Sequence, residues 1–147
     1  MIQVDNYLRL TYLAAGRNRP AVDCWGLYRL IVGEVFGAWL GEFSGLEEPL
    51  AIAHATKREA EGPDWLPVTP GAERAGDAVL MTGLLGVGRA MRAAPIHIGC
   101  VTEPGRLIDI EELGGVRVRA FRTTTRVRAA GEVANRVRGI FRPRALA

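Results

Sequence analysis

From Asp77 onward the apolar residues fall in short extended runs divided by turn residues. The one strong helical pattern lies earlier: Leu27, Leu30, Ile31 and Val35 recur at helical spacing between Cys24 and Trp39. Helices first and strands after, joined by short connections, predict an α+β fold. N-terminal helices would pack on a C-terminal antiparallel sheet. A chain of 147 residues can bury a core of its own and is expected to form one domain over residues 1–147.

Within that frame, Asn6–Leu13 is expected to form a short helix with Tyr7, Leu10 and Leu13 on one side, and Gly16–Pro20 a loop. Gly37 and Gly41 weaken the end of the Cys24 helix, and a second helix is expected over Glu48–Glu61. Gly62–Gly71 is too proline-rich for regular structure and reads as a linker. Strands are expected over Ala78–Thr82, Ile96–Thr102, Arg106–Glu111, Val116–Phe121 and Arg136–Arg142, with Gly83–Ala94 a long loop.

The chemistry concentrates at Asp23-Cys24-Trp25-Gly26. Asp23 can cap the helix, a contribution of about 1 kcal/mol. Cys24 then sits at the positive end of the helix dipole, where a thiolate is favoured over a thiol. Downstream, His97 and Asp109 lie on neighbouring extended runs joined by Thr102-Glu103-Pro104-Gly105. A three-residue loop there would pair Val101 with Gly105, Gly99 with Leu107 and His97 with Asp109. Imidazole and carboxylate would then share a face, and a slip of one residue would separate them. If the Cys24 helix packs on that face, with Gly99 leaving it room, thiol, imidazole and orienting carboxylate compose a cysteine-nucleophile site. The Cys24 N–H, at the open helix end, is a natural oxyanion donor.

Other readings narrow the field. His97 and Cys100 are three apart in an extended run and point to opposite faces. No disulfide and no zinc site built from Cys24, His97 and Cys100 is therefore expected, nor any cofactor. His54 reads as a surface helix residue, and Trp25, Trp39 and Trp65 as core or cleft wall. The net charge of +3 gathers late, in Val116–Arg122 and Arg126–Arg128. It reads as a solvated strand face, with contact to an anionic polymer as the sharper alternative. No apolar stretch is long enough to span a bilayer, and Met1–Tyr7 does not look like a secretory signal, so assembly in the cytoplasm is expected.

In order along the chain, several segments resemble the NlpC family of papain-like cysteine peptidases, which cleave bacterial cell-wall peptides. These are Tyr12-Leu13-Ala14-Ala15-Gly16-Arg17, Asp23-Cys24-Trp25-Gly26-Leu27, Gly76-Asp77-Ala78-Val79-Leu80, His97-Ile98-Gly99, Gly105-Arg106-Leu107-Ile108-Asp109 and Ile140-Phe141-Arg142-Pro143. The resemblance implies Cys24 as nucleophile, His97 as base and Asp109 as orienter. Tyr12 would be an oxyanion or site-lining group, with Asp23 beside it. The third position is usually His, sometimes Asn or Gln; an Asp there would raise the imidazole pKa and favour a thiolate–imidazolium pair. Trp after the cysteine is similar to the branch found in phage tails and gene transfer agents. That branch implies a tail component acting on peptidoglycan stem peptides beside other tail or baseplate proteins, carried to the wall by the particle. Stable nucleic-acid binding and membrane insertion are not expected. The alternative is a structural tail protein with a weakened or inactive site.

Overall fold

The computed structural model describes residues 1–41, 62–85, 92–121 and 137–147. The helix expected over Glu48–Glu61 with its His54, the segment Thr123–Asn135 and the arginines of Arg126–Arg128 lie outside them.

Nine strands and one helix are described. Three short strands, β1 (Thr11–Tyr12), β2 (Arg17–Asn18) and β3 (Ala21–Val22), form a small sheet in the order β1-β3-β2. The helix α1 follows at once (Cys24–Phe36). Six further strands are β4 (Trp65–Pro67), β5 (Ala78–Leu85), β6 (Arg92–Glu103), β7 (Arg106–Glu111), β8 (Gly115–Ala120) and β9 (Val137–Pro143). They make one antiparallel sheet in the order β4-β9-β5-β6-β7-β8. The α+β reading holds.

The helix ends where its chemistry ends it. Gly37 takes φ 70° and its N–H returns to the Gly33 carbonyl, a left-handed cap that glycine adopts without strain. The expected extension to Trp39 is therefore cut at Phe36. Trp39 lies over Gly33 but stays 67% exposed, so it is not core. The core itself joins α1 to the sheet. Leu27, Tyr28, Leu30 and Ile31 cluster with Ile98, Cys100, Ile108 and Ile110. Trp25, Tyr28 and Trp65 pack ring to ring at 5.8–6.3 Å between centroids, Trp25 stacked on Tyr28 and Trp65 tilted against both, and the buried Tyr28 hydroxyl donates to the Gly76 carbonyl at 2.9 Å.

Three expectations fail for local reasons. Asn6–Leu13 is not a helix. A 3-10 turn over Val4–Asn6 buries Tyr7 and Leu10 without one, and Tyr12 is drawn into parallel pairing with Val22, leaving Leu13 exposed. The proline-rich linker contains β4, an edge strand paired with β9, and an edge is where a strand tolerates proline. Of the loop expected over Gly83–Ala94, both ends are strand instead, for β5 and β6 stay paired out to Leu85 and Arg92; residues 86–91 lie outside the described residues.

Candidate active site

The site begins at a close approach of two glycines. A Cβ on Gly26 would lie 2.1 Å from the Gly16 carbonyl oxygen, and the Asp23 N–H donates to that same oxygen at 3.2 Å. The first turn of α1 is thus pressed against the Gly16 backbone, which explains the glycine at 26; a Cβ on Gly16 would instead meet the Ala21 and Leu13 carbonyl oxygens. Gly26→Ala is expected to destabilise the fold by about 1–3 kcal/mol or more, because the obstacle is backbone. A urea denaturation midpoint equal to wild type would contradict this packing.

Asp23 caps the helix as expected. Its Oδ1 accepts from the Gly26 N–H at 2.7 Å. Its Oδ2 accepts from the Ala15 N–H at 3.1 Å and meets Arg17 Nη1 at 2.6 Å, so the carboxylate holds the glycine-bearing loop to the helix tip. Cys24 follows, half-buried, at the first position of α1. Tyr12 is close by: burial first, then the neighbouring Cys24, Asp23 and Glu112, push its phenol above the ordinary value.

His97 and Asp109 come from β6 and β7. His97 Nε2 and Asp109 Oδ2 are 2.7 Å apart; Asp109 is fully buried and His97 nearly so. The pairing that brings them together is not the expected one. Cys100 pairs with Ile108 and Val101 with Leu107, and an irregularity then leads to Glu103 opposite Arg106. Counted back, that offset sets Gly99 against Asp109 and His97 against Glu111. The register differs from expectation by two residues, which preserves the face, and His97 reaches Asp109 along the diagonal. Glu111 Oε1 lies 4.0 Å from His97 Nε2.

A second correction concerns the faces. Ile98, Cys100, Ile108 and Ile110 meet the body of α1, whereas Val101 and Leu107 belong to a separate cluster with Val79 and Met81. By alternation His97 and Asp109 lie on the latter side, and a Cβ on Gly99 would meet Leu107 and Met81, not the helix. The body of α1 does not pack on the face of His97; the imidazole meets its first residue, Cys24. Just before His97, β6 carries one extra residue relative to β5, where Met81 pairs with His97 and Thr82 with Pro95. A bulge of this kind re-aims the side chain beside it.

Cys24 lies beside His97, close enough to act on the titration of the ring. With Nε2 on the carboxylate, Nδ1 is the nitrogen left for sulfur. Burial alone would lower the imidazole pKa, but the bond to Asp109 and the neighbouring Cys24 outweigh it and raise it to about 9. Burial would raise the Asp109 carboxyl, yet His97 and Arg119 hold it below the ordinary value. Cys100 is buried against Tyr28 and away from the site, and neither cysteine is in a disulfide.

The arginine-rich strand has a different task from the one its sequence suggested. Arg119 Nη2 is 2.5 Å from Asp109 Oδ2, and Arg117 Nη2 is 2.8 Å from Glu111 Oε2. Neither is a loose cation on a solvated face, and the polyanion alternative loses two of its charges. A sequence signal for this existed: alternate acids, Asp109 and Glu111, face alternate arginines, Arg117 and Arg119, on the adjoining strand. Among the described residues, His97, Asp109 and Glu111 form a group whose ligand atoms lie within 4.8 Å, close enough for a cation. Both carboxylates already carry a guanidinium, so a metal would have to displace it.

Neither a protein-family profile nor a curated protein matches this sequence. Solved structures do. The crystal structure of the NlpC/p60 domain of peptidoglycan hydrolase SagA superposes with a TM-score of 0.50, over 80% of this chain and 82% of that one, at 19% identity. The fold is that of an NlpC/p60 domain. At this identity the likeness extends to the fold alone. Among the described residues, no helix is long and apolar enough to cross a membrane.

Proposed function

We propose that the protein is a cysteine peptidase that hydrolyses an amide bond in the stem peptide of peptidoglycan. The observation that carries this reading is the contact chain Cys24–His97–Asp109 at a capped helix tip. The SagA domain, which belongs to a peptidoglycan hydrolase, supports the substrate class. The Cys24 thiolate attacks the carbonyl carbon, and the oxyanion forms beside the first turn of α1, with the Cys24 N–H as donor and Tyr12 lining the site. Imidazolium at His97 protonates the leaving amine, giving a thioester. Neutral His97 then takes a proton from water, which attacks the thioester and frees the acid and the thiolate. Asp109 fixes the ring throughout. The Asp-Cys-Trp-Gly segment further supports a place in the tail of a phage-like particle, where the enzyme would open the wall locally during DNA delivery.

Incubation with purified muropeptides tests the activity. Mass spectrometry should reveal two fragments whose masses sum to substrate plus water. Intact muropeptides with a correctly folded protein would end this reading. The pH profile tests the machinery. His97 must carry a proton to serve the leaving amine, and it holds that proton up to about 9. Activity is therefore expected to persist past neutrality and fall as pH rises through about 9. The same linkage acts on stability: the contribution of this group is full below 6.5 and lost as pH rises through about 9. An alkaline limb near 6.5 would mean that Asp109 does not hold the ring.

A further inference from the structure

A full carboxylate at the third position creates a problem that a neutral side chain would not. Asp109 is buried without access to water, on a face with Val101 and Leu107. A charge so placed is strongly disfavoured unless paired. Held by His97 alone, it would also bind the imidazolium proton too firmly for easy transfer to a leaving amine.

Among the described residues, the groups around His97 come from several neighbouring elements. Cys24 faces it from α1, and Asp109 and Glu111 face it from β7. From β5, Met81 pairs with it and brings no charge. Behind the two carboxylates stand Arg119 and Arg117 of β8. Arg119 is the closer. Its Nη2 meets the same Asp109 oxygen that His97 uses, lies 3.6 Å from Glu111 Oε1, and rests 3.8 Å from the Met81 sulfur. It lies opposite Leu107 in the ladder, so it too reaches its acid along a diagonal. Arg117, though opposite Asp109, goes to Glu111 instead.

We infer that Arg119 is a positioning residue of this site: it shares the Asp109 oxygen with His97, balances the buried charge, and lets the imidazolium release its proton. It acts on the imidazole through Asp109 and is not itself a reacting group. The inference rests on the peptidase reading for its purpose, but its test does not need a substrate. The chain has two histidines, so the ring signals of a histidine-labelled sample can be assigned with His54→Gln. Arg119→Gln removes a positive charge near the imidazolium and should raise the His97 titration midpoint by about one pH unit. Arg119→Lys should keep it near the wild-type value. Turnover of muropeptide should fall at least about tenfold in the Arg119→Gln variant and recover in the Arg119→Lys variant. A midpoint in Arg119→Gln that stays put or falls, with the fold intact by circular dichroism, overturns the inference. Should the Arg119→Gln variant fail to fold, an Arg119→Lys midpoint displaced as far as about one pH unit would overturn it equally. If the midpoint rises as expected while no wild-type hydrolysis is found, the peptidase reading fails and the charge relation stands.

Discussion

Cys24→Ala is expected to abolish stem-peptide hydrolysis, by at least about a thousandfold, while leaving the fold in place. The magnitude follows from the role: with no sulfur there is no thioester, and the remaining donors can only polarise a carbonyl that nothing attacks. The fold should survive because Cys24 is only half-buried and its α1 is held elsewhere. Asp23 still caps the first turn, Gly16 and Gly26 still meet, and Leu27, Tyr28 and Ile31 still fill the core. Cys24→Ser separates shape from chemistry, since it keeps a polar atom near His97 but not an easily ionised one. Parallel digestion of muropeptides by the three proteins, with thermal melts alongside, decides the matter. Residual activity of Cys24→Ala near that of wild type would remove the nucleophile from its proposed role. A structural tail protein would show no difference between them because neither would cleave.

Asp77→Ala should lower stability by about 3 kcal/mol, without any direct effect on the reacting groups. Asp77 is buried at the start of β5 and grips Arg142 of β9 with both oxygens, each at 2.7 Å, while Oδ2 also accepts from the Arg74 N–H at 2.9 Å. Its backbone carbonyl accepts from Val101 of β6. One residue therefore joins three neighbouring strands. The alanine variant leaves a guanidinium facing a buried gap and one backbone donor unmet. Arg142 is partly exposed and can turn to water, which keeps the loss at the low end for a buried pair. For a chain of this length the melting midpoint should fall roughly 6–12 °C. An unchanged midpoint would mean that this pair does not hold β5 to β9.

The helix tip was legible in the sequence because its determinants are local. A capping Asp, a thiol one residue later and an apolar helical period all lie in one short segment, and only Gly37 was needed to stop the helix. The sheet was legible by the same logic of alternation, as was the shared face of His97 and Asp109. Register was not. The turn residues Glu103–Gly105 permit more than one loop length, and a shift of two residues leaves every side chain on its expected face. Patterning therefore cannot distinguish the two pairings.

Sequence periodicity settled the body of α1 and the side shared by residues of β6 and β7, because those properties depend on the few residues nearest in the chain; it failed at Asn6–Leu13, where pairing with β3 prevails. Tertiary structure decided what stands behind the site. It brought Arg119 onto Asp109, tied Asp23 to Arg17 and Ala15, and let the sulfur meet an imidazole on the sheet face that the body of α1 does not cover. Each of those contacts joins segments whose spacing in the chain carries no information about their spacing in the fold. Two arginines on an alternating strand look solvated until the acids of the adjoining strand are seen beside them.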